Sequence, residues 1–255
     1  MKVFVLKRGS VLMYILMLVA ILGIYRVGVY YSDAALTSAG ALRNIPIYCV
    51  DTDEKKISLT FDAAWDDSDT DALLEVLEKN DVKASFFMVG GWIDRYPQSV
   101  KKFHDAGHEI LNHSDSHGHM NQMSAEDIVN DINSCEEKIK TVTGESKMLF
   151  RAPYGEYNDT VVSAAREAGY EVVQWDCDSL DWKDLSADEI EKRIMSKVKN
   201  GSVILMHNGA KNTPQALEQI LPKLKEKGWS FAKISELIYQ DGYKIDNSGK
   251  QIKLN

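Results

Sequence analysis

Seven short runs rich in β-branched and aromatic residues recur along the chain, and longer stretches with apolar residues at helical spacing lie between them. The runs cover residues 56–61 (KISLTF), 83–89 (KASFFMV), 108–112, 148–151, 171–176, 202–207 and 230–234. Helical patterns cover 70–79, 98–106, 125–143, 159–168, 187–198 and 214–227. Ser124 and Ser186 stand where N-caps are needed, and Gly107, Gly169, Gly201 and Gly228 where left-handed C-caps are needed. About seven such units in roughly 210 residues predict one α/β domain with a parallel sheet. The sheet is expected as a closed barrel slightly smaller than the eight-unit kind, or as a doubly wound sheet.

The segment before this alternation has a different character. Lys2, Lys7 and Arg8 precede an apolar run at 11–24 (VLMYILMLVAILGI), and the apolar and aromatic character continues to Tyr31 with Arg26 as the one charge. A run with no polar face predicts a membrane-targeting segment, not a helix of the soluble core. Cleavage would want small residues just after the run, where Arg26, Tyr30 and Tyr31 stand. The expectation is therefore an uncleaved single-pass transmembrane helix over residues 9–31, with a cleaved signal segment and secretion as the alternative. Positive charge before the span puts residues 1–8 in the cytoplasm and the remainder outside the cell. Residues 32–44 read as a linker, 45–240 as the folded domain and 241–255 as a C-terminal tail. With 38 acidic against 30 basic side chains, the net charge of -8 argues against a nucleic-acid partner. Cys49, Cys135 and Cys177 are odd in number and far apart, which gives no disulfide framework. A monomer is expected.

Polar residues fall at the ends of the predicted strands. Asp62 follows the first run, His113 and His117 (HSDSH) follow the third, and Arg151 (RAPYG) ends the fourth. Asp178 and Asp181 follow the fifth, and His207 ends the sixth. In a parallel barrel or sheet those ends share the face where active sites form, so residues about 145 positions apart can converge. Singly, each has a plain explanation: a helix cap or Asx-turn for Asp62, a chance H-x-x-x-H, a surface ion pair for Arg151, loop aspartates, a core histidine at 207. The five tryptophans, Trp65, Trp92, Trp175, Trp182 and Trp229, read as core residues by default, with Trp182 beside Asp181 as a candidate floor for a sugar.

Taken in order, TFD at 60–62, HSDSH at 113–117, RAPYG at 151–155, DW at 181–182 and LMH at 205–207 give a chain that resembles the NodB-type polysaccharide deacetylases of carbohydrate esterase family 4. The resemblance covers residues 56–238, and its form is nearest the membrane-anchored or secreted deacetylases of Gram-positive bacteria. It implies a distorted (β/α)7 barrel and metal-dependent hydrolysis of the N-acetyl group of aminosugars in cell-wall glycan, peptidoglycan or a chitin-like oligosaccharide, releasing acetate. It implies His113 and His117 as ligands of a divalent metal, zinc or another ion such as cobalt. It implies Asp62 as the base, Arg151 as the group that orients and ionises it, and the Tyr154 backbone N–H as an oxyanion donor. His207 would protonate the leaving nitrogen, paired with Asp181 or its rival Asp178, while Trp182 and Leu205 would line the acetyl pocket.

One position departs from the family. The usual TFDD motif supplies a third metal ligand from its second aspartate, but Ala63 stands there and has no donor atom. Asp66, Asp67, a water or Asp62 itself remain as substitutes, and weak metal binding is expected. Two rival readings follow: a catalytically weakened or inactive wall-glycan-binding domain, and a different metal-dependent amidase. The latter would need more imidazoles or a bridging lysine, which the spacing does not show.

Overall fold

The computed structural model describes Met17 and residues 44–254, so the predicted membrane segment lies outside the described residues. Among the described residues no helix is long and apolar enough to cross a membrane. The chain divides into units 1–43 and 44–255, and the second is the unit described below.

In chain order its elements are β1 (Cys49–Val50), β2 (Lys56–Ala63), α1 (Thr70–Lys79), β3 (Ser85–Met88), α2 (Gly90–Arg95), α3 (Pro97–Asp105), β4 (Glu109–Asn112), α4 (Ala125–Thr143) and β5 (Leu149–Phe150). They continue with α5 (Asp159–Glu167), β6 (Glu171–Val172), β7 (Cys177–Asp178), α6 (Ala187–Lys197), β8 (Val203–His207), α7 (Thr213–Glu226), β9 (Ser230–Phe231), α8 (Ile234–Leu237), β10 (Tyr243–Ile245) and β11 (Lys250–Lys253). The main sheet runs β6-β5-β4-β3-β2-β8-β7 with every pair parallel, and β9 adds to the start of β2. This is a half-barrel of parallel strands in an α/β fold, as the alternation predicts. All seven predicted runs contain a strand, and α1 and α4 have the predicted bounds.

Residue alternation along the strands sorts the interior from the exterior. Leu59 and Phe61 of β2 join Ile204 and Met206 of β8 in the large apolar cluster, together with Leu73, Val76 and Leu77 at i, i+3 and i+4 on α1. Ser58, Thr60 and Asp62 therefore point to the opposite side of the sheet, into the half-barrel. Parallel pairing sets Thr60 against Leu205 and Asp62 against His207. Ser124 caps α4 by accepting from the Asp127 N–H, and Ser186 with Glu189 forms a capping box at α6.

Two segments depart from expectation. Helix α2 occupies GGWIDR, a stretch for which no element is predicted and whose two glycines weaken helix propensity. Glycine is required there by close approach, since a Cβ on Gly90 would stand 1.8 Å from Asp115 Oδ1. The stretch 241–255, read as a tail, carries β10 and β11, and β11 pairs in parallel with β1. Its short, largely polar strands carry no apolar alternation to announce them. Gln251 nevertheless is fully buried, accepting from Tyr239 N–H at 2.8 Å and donating to Tyr239 O at 2.7 Å.

Candidate active site

At the C-terminal ends of the half-barrel strands the first pair is buried. Arg151, just past β5, is fully buried and donates from Nη1 to Asp62 Oδ1 at 2.7 Å. Its Nη2 reaches Thr60 Oγ1 at 3.0 Å and Gln174 O at 3.2 Å, and its Nε reaches Val173 O at 3.3 Å. The guanidinium also lies 4.0 Å from the centre of the Phe87 ring. A charge held this way is oriented and desolvated at once. Burial pushes the Asp62 carboxyl up, but Arg151 foremost, with His113 and His207, outweighs that push and holds it below the usual carboxylate range. Asp62 is thus a buried, ionised carboxylate.

The loop after β4 brings in the two predicted imidazoles. Ser114 and His117 adopt positive φ, 68° and 55°, so the loop turns sharply between the histidines. Side chains support that turn: Ser114 N–H donates to Asn112 Oδ1 at 3.0 Å, and His117 N–H donates to Ser114 Oγ at 2.9 Å. The Asp131 carboxylate on α4 accepts from the N–H of Asp115 at 2.9 Å and of Ser116 at 3.2 Å. His113 Nδ1 lies 2.8 Å from Arg151 O. A carbonyl only accepts, so Nδ1 carries the proton and the lone pair is on Nε2, 3.5 Å from Asp62 Oδ2. The His113 and His117 rings are 5.1 Å apart. Burial pushes His113 down, and His117 down to about 4, so both are neutral donors at neutral pH. Two imidazoles thus suit a divalent cation. Ala63 is buried in the apolar cluster, Asp66 Oδ1 accepts from Ser68, and Asp67 Oδ2 accepts from Ser99 Oγ at 2.7 Å. Among the described residues no group of three His, Cys, Asp or Glu side chains is gathered to hold one metal ion.

On β8, His207 has a different partner. Its Nδ1 lies 2.7 Å from Asp181 Oδ1, and its backbone N–H donates to Asp181 Oδ2 at 2.8 Å. Thr213 Oγ1 donates to the same carboxylate at 2.7 Å, and the Trp182 N–H does so at 2.9 Å. Burial would lower the His207 pKa, but the Asp181 hydrogen bond and charge raise it above the ordinary histidine value. The choice left open by sequence is settled by geometry: Asp178 Oδ1 accepts from its own loop at Leu180 N–H, 2.8 Å, and Asp181 holds His207.

The family model for polysaccharide deacetylase matches residues 50–173. Over 194 residues the chain is 36% identical to a peptidoglycan-N-acetylglucosamine deacetylase of Bacillus cereus, covering 74% of this chain and 91% of that one. The chain belongs to the polysaccharide deacetylase family. It is also 31% identical to the protein YlxY of Bacillus subtilis over 78% of its length, but spans only 62% of that longer relative. Among solved structures, the carbohydrate esterase family 4 pseudoenzyme BA3943 of Bacillus anthracis superposes with a TM-score of 0.73 at 33% identity, over 77% of this chain and 69% of that one.

This deacetylase-family chain carries an aromatic wall that sequence reasoning saw only in part. Trp182 and Tyr154 are 48% and 57% exposed beside the site. Tyr154, at φ 59°, packs its ring 4.6 Å from those of both His117 and His119. Leu205 is buried two residues before His207 on the same side of β8. Trp92 is a core residue as expected, but Trp65 is not: it is 45% exposed and stacks on His207 at 5.3 Å between ring centres, with planes 17° apart. The signal in the sequence was its place, three residues past Asp62 at a strand end.

Proposed function

We propose that the chain removes N-acetyl groups from aminosugars of cell-wall glycan, peptidoglycan foremost, by hydrolysis that yields acetate and a free amine. One observation carries the reading. Asp62 and His207 are register partners on adjacent strands, and each has its own buried counter-charge, Arg151 for the carboxylate and Asp181 for the imidazole. One group is held ionised and the other has its hold on a proton strengthened within a single site, the division of labour amide hydrolysis needs. Asp62 takes a proton from the attacking water, the Tyr154 N–H faces the developing oxyanion, the C–N bond breaks and His207 protonates the nitrogen. His113 and His117 would hold a divalent metal, zinc or a similar ion, which supplies carbonyl polarisation and a more acidic water. Trp182 and Leu205 are assigned to the acetyl pocket. The family's relatives named as peptidoglycan-N-acetylglucosamine deacetylases support the substrate class.

The proposal includes the distorted (β/α)7 barrel, supported by β6 and β7, the two ends of the strand path, lying on one stretch of chain, 171–178. It also includes an extracytoplasmic domain held to the membrane by residues 9–31, supported by the apolar run and its flanking charges.

A second reading has its own observation. The BA3943 pseudoenzyme, a mutant of which has restored enzymatic activity, is 34% identical in that mutant form, and here Ala63 removes a metal ligand of the family motif. That reading is a wall-glycan-binding domain of weakened activity. Acetate release from acetylated chito-oligosaccharides and from peptidoglycan, measured with and without added zinc or cobalt, decides between them. Acetate above the buffer control supports the deacetylase; glycan binding with no acetate under any metal supports the binding domain.

A further inference from the structure

We propose that Trp65 is a positioning residue for His207, holding the imidazole by its face while Asp181 holds it by its edge. The inference rests on the proposed acid role of His207. Asp181 grips the ring through Nδ1 alone, and a ring held at one nitrogen can still swing about that bond. The indole of Trp65 removes this freedom by lying nearly parallel to the imidazole, 5.3 Å between centres and 17° between planes. Nε2 is left as the free nitrogen, and an indole face favours the protonated ring by its quadrupole.

The stack sits on a second set of ties between the same two loops. Asn208 N–H donates to Asp62 O at 3.2 Å, and the Asp69 carboxylate accepts from Gly209 N–H at 2.8 Å and from the Asn208 amide. Gly209 has φ 82°, and a Cβ there would lie 3.4 Å from Asp66 O and 3.5 Å from Trp65 Cβ. The loop that carries Trp65 is therefore fastened to the residues that follow His207, so the indole cannot drift from the ring it covers. A tryptophan placed only for core packing would be buried; this one is 45% exposed, while the His207 side chain beneath it is 17% exposed.

In the step concerned, the acetyl C–N bond breaks, its electron pair goes to nitrogen, and nitrogen takes the Nε2 proton of His207. An N-acetyl sugar needs that proton; an aryl acetate, whose phenolate leaves unaided, does not. In the full-length chain, Trp65→Ala is expected to lower kcat on an N-acetylated chito-oligosaccharide about 30-fold with KM within about twofold, while hydrolysis of an aryl acetate ester falls less than about threefold. Trp65→Phe, which keeps a stacking ring, is expected to recover the amide rate to within about threefold of wild type. A readout independent of turnover is exchange of the His207 Nδ1 proton with water by NMR, expected to quicken at least about tenfold in Trp65→Ala and to stay slow in Trp65→Phe. Equal losses on amide and ester, or a rise in KM alone, with unchanged proton exchange, would overturn the assignment. If wild type releases no acetate from either substrate while the exchange behaves as expected, the deacetylase reading fails and the hold of Trp65 on His207 stands.

Discussion

Asp62 is pulled in two directions, up by its burial and down by Arg151, and its use as a base depends on the second winning. Asp62→Asn and His207→Ala are each expected to lower acetate release at least about a hundredfold. His207→Ala is expected to stay folded, because Asp181 retains Thr213 and two backbone donors; a near-wild-type rate in either variant would remove the role assigned to it. Arg151→Ala, by contrast, strands a carboxylate in the barrel and is expected to cost about 3–5 kcal/mol in urea unfolding. The two raised and lowered groups also fix the shape of the pH profile. With Asp62 as base and His207 as acid, as proposed, the acid limb is expected below the usual carboxylate range and the alkaline limb above the ordinary histidine value. Ala63→Asp puts a carboxylate into the apolar cluster between sheet and helices. Without metal the variant should melt below wild type, and added zinc should raise its melting temperature more than it raises that of wild type. Equal zinc shifts in the two proteins would show that position 63 does not reach the ion.

At the scale of elements, the loop between β4 and α4 shows what was readable in the sequence and what was not. His113 and His117 were legible because strand-end histidines four residues apart stand out. The parts that aim them were not: Asp131 lies in the middle of a helical pattern, and its link to the loop is made by tertiary packing. Helix α2 was hidden for the same reason, since Gly90 and Gly91 serve the loop, donating to Ser114 O at 2.9 Å and Asp115 O at 3.1 Å, at the expense of helix propensity. The central strands β2, β3, β4 and β8 were easy to see because burial on both faces leaves nearly continuous apolar runs, whereas β1 and β7, two residues each, fell outside every predicted run. Trp65 was misread because composition assigns tryptophan to the core, and nothing local says that its neighbour will be a histidine from a strand more than a hundred residues later. Asp131→Ala is expected to cost about 1–2 kcal/mol and to speed hydrogen exchange at the Asp115 and Ser116 amides, with the sheet amides unchanged. Protection retained at both amides would mean that the loop holds its shape alone.

For the whole molecule, a fragment of residues 44–255 is expected to fold and a fragment of residues 44–240 to unfold at lower urea, because the latter exposes β1 and leaves the Tyr239 backbone without Gln251. Acid should act through His108. Ala84 N–H donates to its Nδ1, and burial pushes its pKa down to about 4 from 6.5. The unfolded chain takes up that proton below 6.5 and the folded chain only near 4, so the stability it contributes is complete above 6.5 and is lost as pH falls across that window. A His108→Asn variant should lose less stability between pH 7 and pH 4 than wild type, the difference being on the order of 3 kcal/mol. The pairing of Asp62 with His207 has a consequence for anyone who would re-engineer the chain. Their separation is set by hydrogen bonds between two neighbouring strands. Loops that carry none of the site side chains can thus be lengthened, exchanged or grafted from other enzymes, while Asp62 and His207 stay at the spacing that the backbone itself dictates.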